Sequence, residues 1–157
     1  MVFKQNYIKM KSIFNKTDNQ EIISRINSLT PETPALWGKM NVDQMLKHCN
    51  EAVLVAFNEK ELKINFIFKI MGSLMRKSIL NSPQFSKNSP TAKEFKFTER
   101  FNFLTVQNEL IQNFSRFQQG EKAITCLKHP FWGKMNNEDW NKLMWKHIDH
   151  HLRQFGV

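Results

Sequence analysis

Apolar residues return at helical spacing in five stretches of the chain, and the last of these carries histidines where a core would ordinarily place leucines. In NNEDWNKLMWKHIDHHLRQFG, residues 136–156, the positions Trp140, Leu143, Met144, His147, Ile148, His151, Leu152 and Phe155 fall at offsets 0, 3, 4, 7, 8, 11, 12 and 15. That is the broad inward stripe of an amphipathic helix. A polar group turned into a core costs about 1–3 kcal/mol unless something satisfies it, so two imidazoles one turn apart on this stripe ask for a partner.

The other stretches give the frame. A first helix is expected over 18–29, capped by Thr17 or Asp18, with Ile22, Ile23, Ile26 and Leu29 inward. Two prolines in SLTPETPALWGKM end it. A second helix opens at Asn41, which Gln44 complements as a capping box. Its stripe is Val42, Met45, Leu46, Cys49, Ala52, Val53, Ala56 and Phe57, with His48 at the edge of that face. Residues 62–80 read as a strongly apolar helix punctuated by Lys63, Lys69, Arg76 and Lys77, and NSPQFSKNSPTAKEF as a loop. A long helix follows over 98–119, with Phe103, Val106, Leu110, Phe114 and Phe117 inward and Gly120 as its stop. EKAITCLKHPFWGKM is a loop leading to the terminal helix. The pattern predicts an all-α fold in one domain, 17–157, preceded by an N-terminal arm, 1–16. A short echo links two helix starts: WGKMNVDQ at 37–44 and WGKMNNED at 132–139 read as one repeated device of aromatic, glycine turn and Asn cap.

Composition narrows the classes. Fourteen Phe and four Trp in 157 residues supply a real core, and only five Gly and five Pro argue against a turn-rich all-β fold. The net charge of +9 favours anionic partners in general. The lysines are nevertheless dispersed and no nucleic-acid-binding motif is present, so nucleic acid is not expected. Two cysteines, Cys49 and Cys126, fit a reducing compartment. The start of the chain lacks a signal peptide's apolar run, and INFIFKIMGSLM, interrupted by Lys69, is too short to span a bilayer. A soluble, cytoplasmic protein is expected.

The histidines carry the chemistry. Residues four apart on a helix hold their Cβ atoms about 5–6 Å apart, a spacing at which His147 and His151 can share a divalent ion. His48, from another apolar stripe, completes a three-nitrogen face, the form in which a catalytic site leaves one position for water or substrate. Imidazole admits Zn, Ni, Fe, Co or Cu without choosing among them. His150 could replace His151 but points off the stripe and reads as a residue that supports the ligand rings or lies at the rim. Glu51 is a candidate fourth ligand or base and equally a solvated charge. Gln154 is placed to hold a ligand ring, and Lys47 and Arg153 to hold an anionic cofactor. Cys126-x-x-His129 could be half of a zinc knuckle with His48 and Cys49, although His129 reads better as packing in its loop. The zincin pattern fails because no Glu follows the first His of HIDHH, and the di-iron pattern fails because no helix carries Glu-x-x-His.

With those residues in view, the chain resembles the DinB-like (YfiT-like) superfamily, and within it the domain of unknown function 1569 branch. LWGKMNVDQMLKHCNEA at 36–52 and HPFWGKMNNEDWNKLMWKHIDHHLRQFG at 129–156 carry the likeness, and RINSLTP at 25–31 is similar to the family's opening. The resemblance implies a four-helix bundle with a long crossover that contains the helix at 62–80. It also implies a divalent metal held at the positions of His48, His147 and His151, and a homodimer. Some superfamily members use the metal to activate a low-molecular-weight thiol.

Two readings follow. One is a metal-dependent enzyme acting on a small molecule, as a thiol S-transferase or hydrolase, with the ion lowering the pKa of a bound thiol or water. The other is a non-catalytic metal- or ligand-binding bundle in which the ion staples helices together.

Overall fold

A computed structural model describes residues 10–89 and 91–157. It is mostly helical, with α1 (Lys16–Asn27), α2 (Val42–Ala56), α3 (Phe66–Asn81), α4 (Phe103–Ser115) and α5 (Asn137–Gln154). The all-α expectation omits one element, a two-stranded antiparallel ribbon of β1 (Lys128–His129) and β2 (Gly133–Lys134), in which Lys128 faces Lys134. The ribbon forms because the His129 ring turns the chain. Its Nδ1 accepts the backbone N–H groups of Phe131 and Trp132 at 3.0 and 3.2 Å, and Gly133 takes the left-handed φ of 77° that closes the return.

The helix ends differ from the sequence reading where a side chain captures the backbone. α1 starts two residues early because Asn15, not Thr17 or Asp18, is the cap: its Oδ1 accepts from the N–H groups of both. α4 starts at Phe103 rather than 98 because Asp43 takes the Phe101 N–H at 2.8 Å, and Asn102 then caps the helix. The helix tightens into a 3-10 turn over Arg116–Gln119 before Gly120 stops it at φ 85°. α3 begins only at Phe66, with Asn65 as its cap.

α1 and α2 each pack against both α4 and α5. The stripes read from the sequence meet between them: Ile22, Ile26, Met45, Leu46, Leu110, Phe114, Phe117, Trp140, Met144, Ile148 and Leu152 are wholly or almost wholly buried. Each such side chain contributes about 1.5–3 kcal/mol by leaving water. Of the expected arm, residues 1–9 lie outside the described residues. Ile13 is fully buried, and its N–H donates to Asn141 Oδ1 of α5 at 2.7 Å.

α3 lies outside the mutual packing of these four helices. It touches α5 and the ribbon, approaching the latter so closely that a Cβ on Gly72 would lie 2.2 Å from the Phe131 carbonyl oxygen. Its other side is open, with Phe66 75% and Leu74 78% exposed. Among the described residues, no helix is long and apolar enough to cross a membrane.

Candidate metal centre

The repeated WGKMN segments open the two helices that carry the histidines, and they share a glycine conformation and a capping pair, although only the second forms a strand. Gly38 and Gly133 adopt φ 84° and 77°. Asn41 N–H donates to the Gln44 side chain at 3.0 Å, and Asn136 and Asp139 form the matching capping box on α5. These two starts set the depth at which His48 on α2 and His147 and His151 on α5 enter the space between the helices.

There the three rings converge. His48 lies 4.9 Å from His147 and 4.6 Å from His151, centroid to centroid, and His147 lies 4.9 Å from His151. One nitrogen from each falls within 4.8 Å of the others, and this is the only group of three or more His, Cys, Asp or Glu among the described residues with such spacing. His48 and His151 are buried. Burial pushes the pKa of all three rings down, well below the usual value for His147 and His151, and the neighbouring histidines lower those two further. Neutral imidazoles result, with a lone pair available for a cation.

The free nitrogen of two rings is set by what holds the other one. His48 Nδ1 lies 3.0 Å from the Phe95 carbonyl oxygen, which can only accept, so Nδ1 carries the proton and Nε2 the lone pair. His151 Nδ1 lies 2.8 Å from Gln154 Oε1, while Gln154 Nε2 donates to the Trp37 carbonyl at 2.7 Å. The second bond fixes the amide's orientation, so its oxygen faces His151 and the ring's Nε2 is left free. His48 Nε2 then meets His147 Nε2 at 2.8 Å. Two bare lone pairs cannot face each other at that distance. Either a proton on His147 Nε2 or a cation must stand between them, and a tetrahedral ion would hold two such nitrogens ~3.3–3.4 Å apart, a small outward shift of the rings. The donor set therefore fits a divalent metal. Carbonyl and amide partners on the outer nitrogens are the usual support of metal-binding imidazoles.

Gln154 does here what the sequence suggested. Phe95 was not foreseen: it lies on a 3-10 turn, Lys93–Phe95, inside the segment read as plain loop, and no sequence signal marks a backbone carbonyl as a histidine's partner. Its ring also stands edge-on to His48 at 5.7 Å, and Phe85, from the same connection, lies 6.2 Å from His147 and 6.0 Å from His150. The connection between α3 and α4 thus forms the aromatic wall of the site. Asp43 anchors it, bonding Arg100 and the Phe101 N–H, with Gln44 donating to the Glu99 carbonyl.

The remaining candidates separate. Glu51 is bound to Lys47 at 2.9 Å and Lys60 at 2.6 Å, and Lys47 also approaches Glu109, so these side chains form an ion-pair network apart from the three rings. His150 is buried beside the ligand rings, packed at 5.2 Å against His151 and at 5.9 Å against Trp37. Arg153 bonds Asp149 and Gln84. Cys126 gives its S–H to the Lys128 carbonyl. His129 packs against Trp132 and Trp140, and burial pushes its pKa down to about 3. The zinc-knuckle alternative does not assemble among the described residues.

Fold and site together define a mainly helical protein with a buried cluster of three histidines that could hold a metal ion. The chain belongs to the family described as protein of unknown function (DUF1569), whose model matches residues 9–156. Among curated proteins and among solved structures, nothing matches.

Proposed function

We propose that this chain is a metal-dependent enzyme of the DinB-like superfamily that acts on a small molecule by S-transfer to a low-molecular-weight thiol or by hydrolysis, with one divalent ion held by His48, His147 and His151. The observation that carries this reading is the convergence of three neutral imidazoles from two helices, with two of their outer nitrogens anchored by Phe95 and Gln154. No fourth protein ligand joins them among the described residues, and a three-ligand set is the form that leaves a position for water or substrate. When bound, the ion would supply acidification of a thiol or water. The mutual packing of α1, α2, α4 and α5, with α3 on the connection between α2 and α4, supports the four-helix bundle that the superfamily resemblance implies.

The chain's own residues have defined tasks in this scheme. Phe95 and Gln154 keep a proton on the outer nitrogen of two rings, which directs both lone pairs inward. Phe85 and Phe95 exclude bulk water and so strengthen charge interactions inside.

Elemental analysis of the purified protein and of His147→Ala tests the site. The expected result is about one divalent ion per wild-type chain and much less in the variant; equal content in both would contradict it. Chelation separates an enzyme from a staple. The stripped protein should stay folded while losing turnover of a thiol with an alkyl or acyl electrophile, whereas loss of several kcal/mol of stability on stripping would favour the structural role.

A further inference from the structure

Beside the histidine cluster lies a cleft of about 320 Å³ lined by Trp37, Gln84, Phe85, Lys87, His150 and Arg153 among others. Its volume is at the lower end of small-molecule sites. Two features make it more than a surface dent. His150 is over nine-tenths buried, yet its ring nitrogens bond to no described residue and it lines the cleft. The charges around it are also unbalanced. Asp149 accepts from both Arg25 and Arg153, at 2.9 and 2.8 Å, and although Arg25 has a second acceptor in the Val157 oxygen at 2.9 Å, Arg153 has only this shared carboxylate among the described residues. The Lys87 ammonium rests 4.5 Å over the Trp37 ring and has no acidic partner among the described residues.

We infer that this cleft binds the oxyanion end of the substrate, a carboxylate or phosphate group on a small molecule with a flat apolar body. The Trp37 and Phe85 rings would flank the body, Lys87 and Arg153 would face the anion, and His150 would offer its N–H. Phe85 packs against both His150 and His147, at 6.0 and 6.2 Å between ring centroids, so a molecule seated here would lie next to the three-histidine cluster. A catalytic use of that neighbourhood rests on the metal reading; the anion site itself does not.

Metal-free protein is therefore the material for the test. Binding of phenylacetate, phenyl phosphate and uncharged phenylacetamide is measured by ligand-detected NMR on wild type, Lys87→Gln, the Lys87→Gln/Arg153→Gln double variant and His48→Ala. At least one of the two anions should bind tenfold or more tighter than the amide, and the tighter one identifies the group recognised. Lys87 is exposed, so Lys87→Gln should fold normally and still lose about half of that preference on a logarithmic scale; the double variant should lose all of it. His48→Ala should keep the preference whether or not the chain holds metal. The inference is overturned if none of the three binds, if the amide binds as well as the anions, or if the preference survives in the double variant. Its disappearance in His48→Ala would likewise overturn it, because the anion would then be held by the histidine cluster.

Discussion

The Nδ1–H of His48, midway along α2, donates to the carbonyl of Phe95, a residue 47 positions further on. The connection between α3 and α4 is thereby part of the site rather than a spacer. What keeps it there is Asp43, one turn before His48. Burial alone would raise the Asp43 pKa, but Arg100 and the Phe101 N–H outweigh it and hold the carboxyl below its usual range.

Replacing Asp43 with Asn removes a charge-assisted anchor of the kind that contributes about 1.5–3 kcal/mol. Asp43→Asn should lower unfolding free energy by about 2 kcal/mol in urea titrations and speed amide hydrogen exchange over residues 95–101. Unchanged exchange there would show that the connection is held by other contacts.

Gln154 fixes the His151 ring through two hydrogen bonds, and outer partners of this kind typically govern 10–100-fold in metal affinity. Gln154→Leu should weaken divalent-metal binding by that factor in chelator competition, with the helical circular dichroism unchanged. Full affinity in this variant would remove Gln154 from the account.

Gly38 is bound up with the same contact. It sits at φ 84°, and a Cβ there would lie 2.4 Å from Gln154 Nε2. Gly38→Ala therefore suffers backbone strain of about 1 kcal/mol or more and displaces Gln154 from the Trp37 carbonyl. The expected outcome is lower thermal stability together with a metal-affinity loss like that of Gln154→Leu. The equivalent change at Gly133, whose nearest described neighbour is Ser73 at 3.4 Å, should cost stability alone.

The parts legible in the sequence are those written by periodicity and capping chemistry. The α2 stripe, the α5 stripe and the Asn41 and Asn136 helix starts each depend on residues within one element, and all appear in the structure. The positions of Phe95, Phe85 and Asp43 were not legible, since each contributes through contacts about 45 to 65 residues away that no local pattern encodes. His150 lies beside the ligand rings, as its offset from the α5 stripe allows, but its burial by Trp37 and Phe85 from two connections was not legible for a related reason.

All five histidines have depressed pKa values, each led by burial, and His129 gives the clearest pH prediction because it lies outside the cluster. Its folded pKa is about 3 against about 6.5 in an unfolded chain. Below pH 6.5 the unfolded state takes up a proton that the folded state refuses, so stability falls as pH drops from about 6.5 toward 3, by about 1.4 kcal/mol per unit for the His129 ring. Unfolding free energies of metal-free protein at pH 7, 6 and 5 should decline accordingly. The slope should shrink by about one proton in His129→Asn, which keeps a short acceptor for the Phe131 and Trp132 N–H groups. A flat profile would mean that these rings are wetter than the structure makes them.

Three imidazoles around one cation can be counted directly by X-ray absorption at the metal edge of zinc-reloaded protein. One zinc per chain is expected, with three nitrogen scatterers at about 2.0–2.1 Å, falling to two in His48→Ala. A zinc environment made of oxygen alone, or one identical in wild type and His48→Ala, would contradict it.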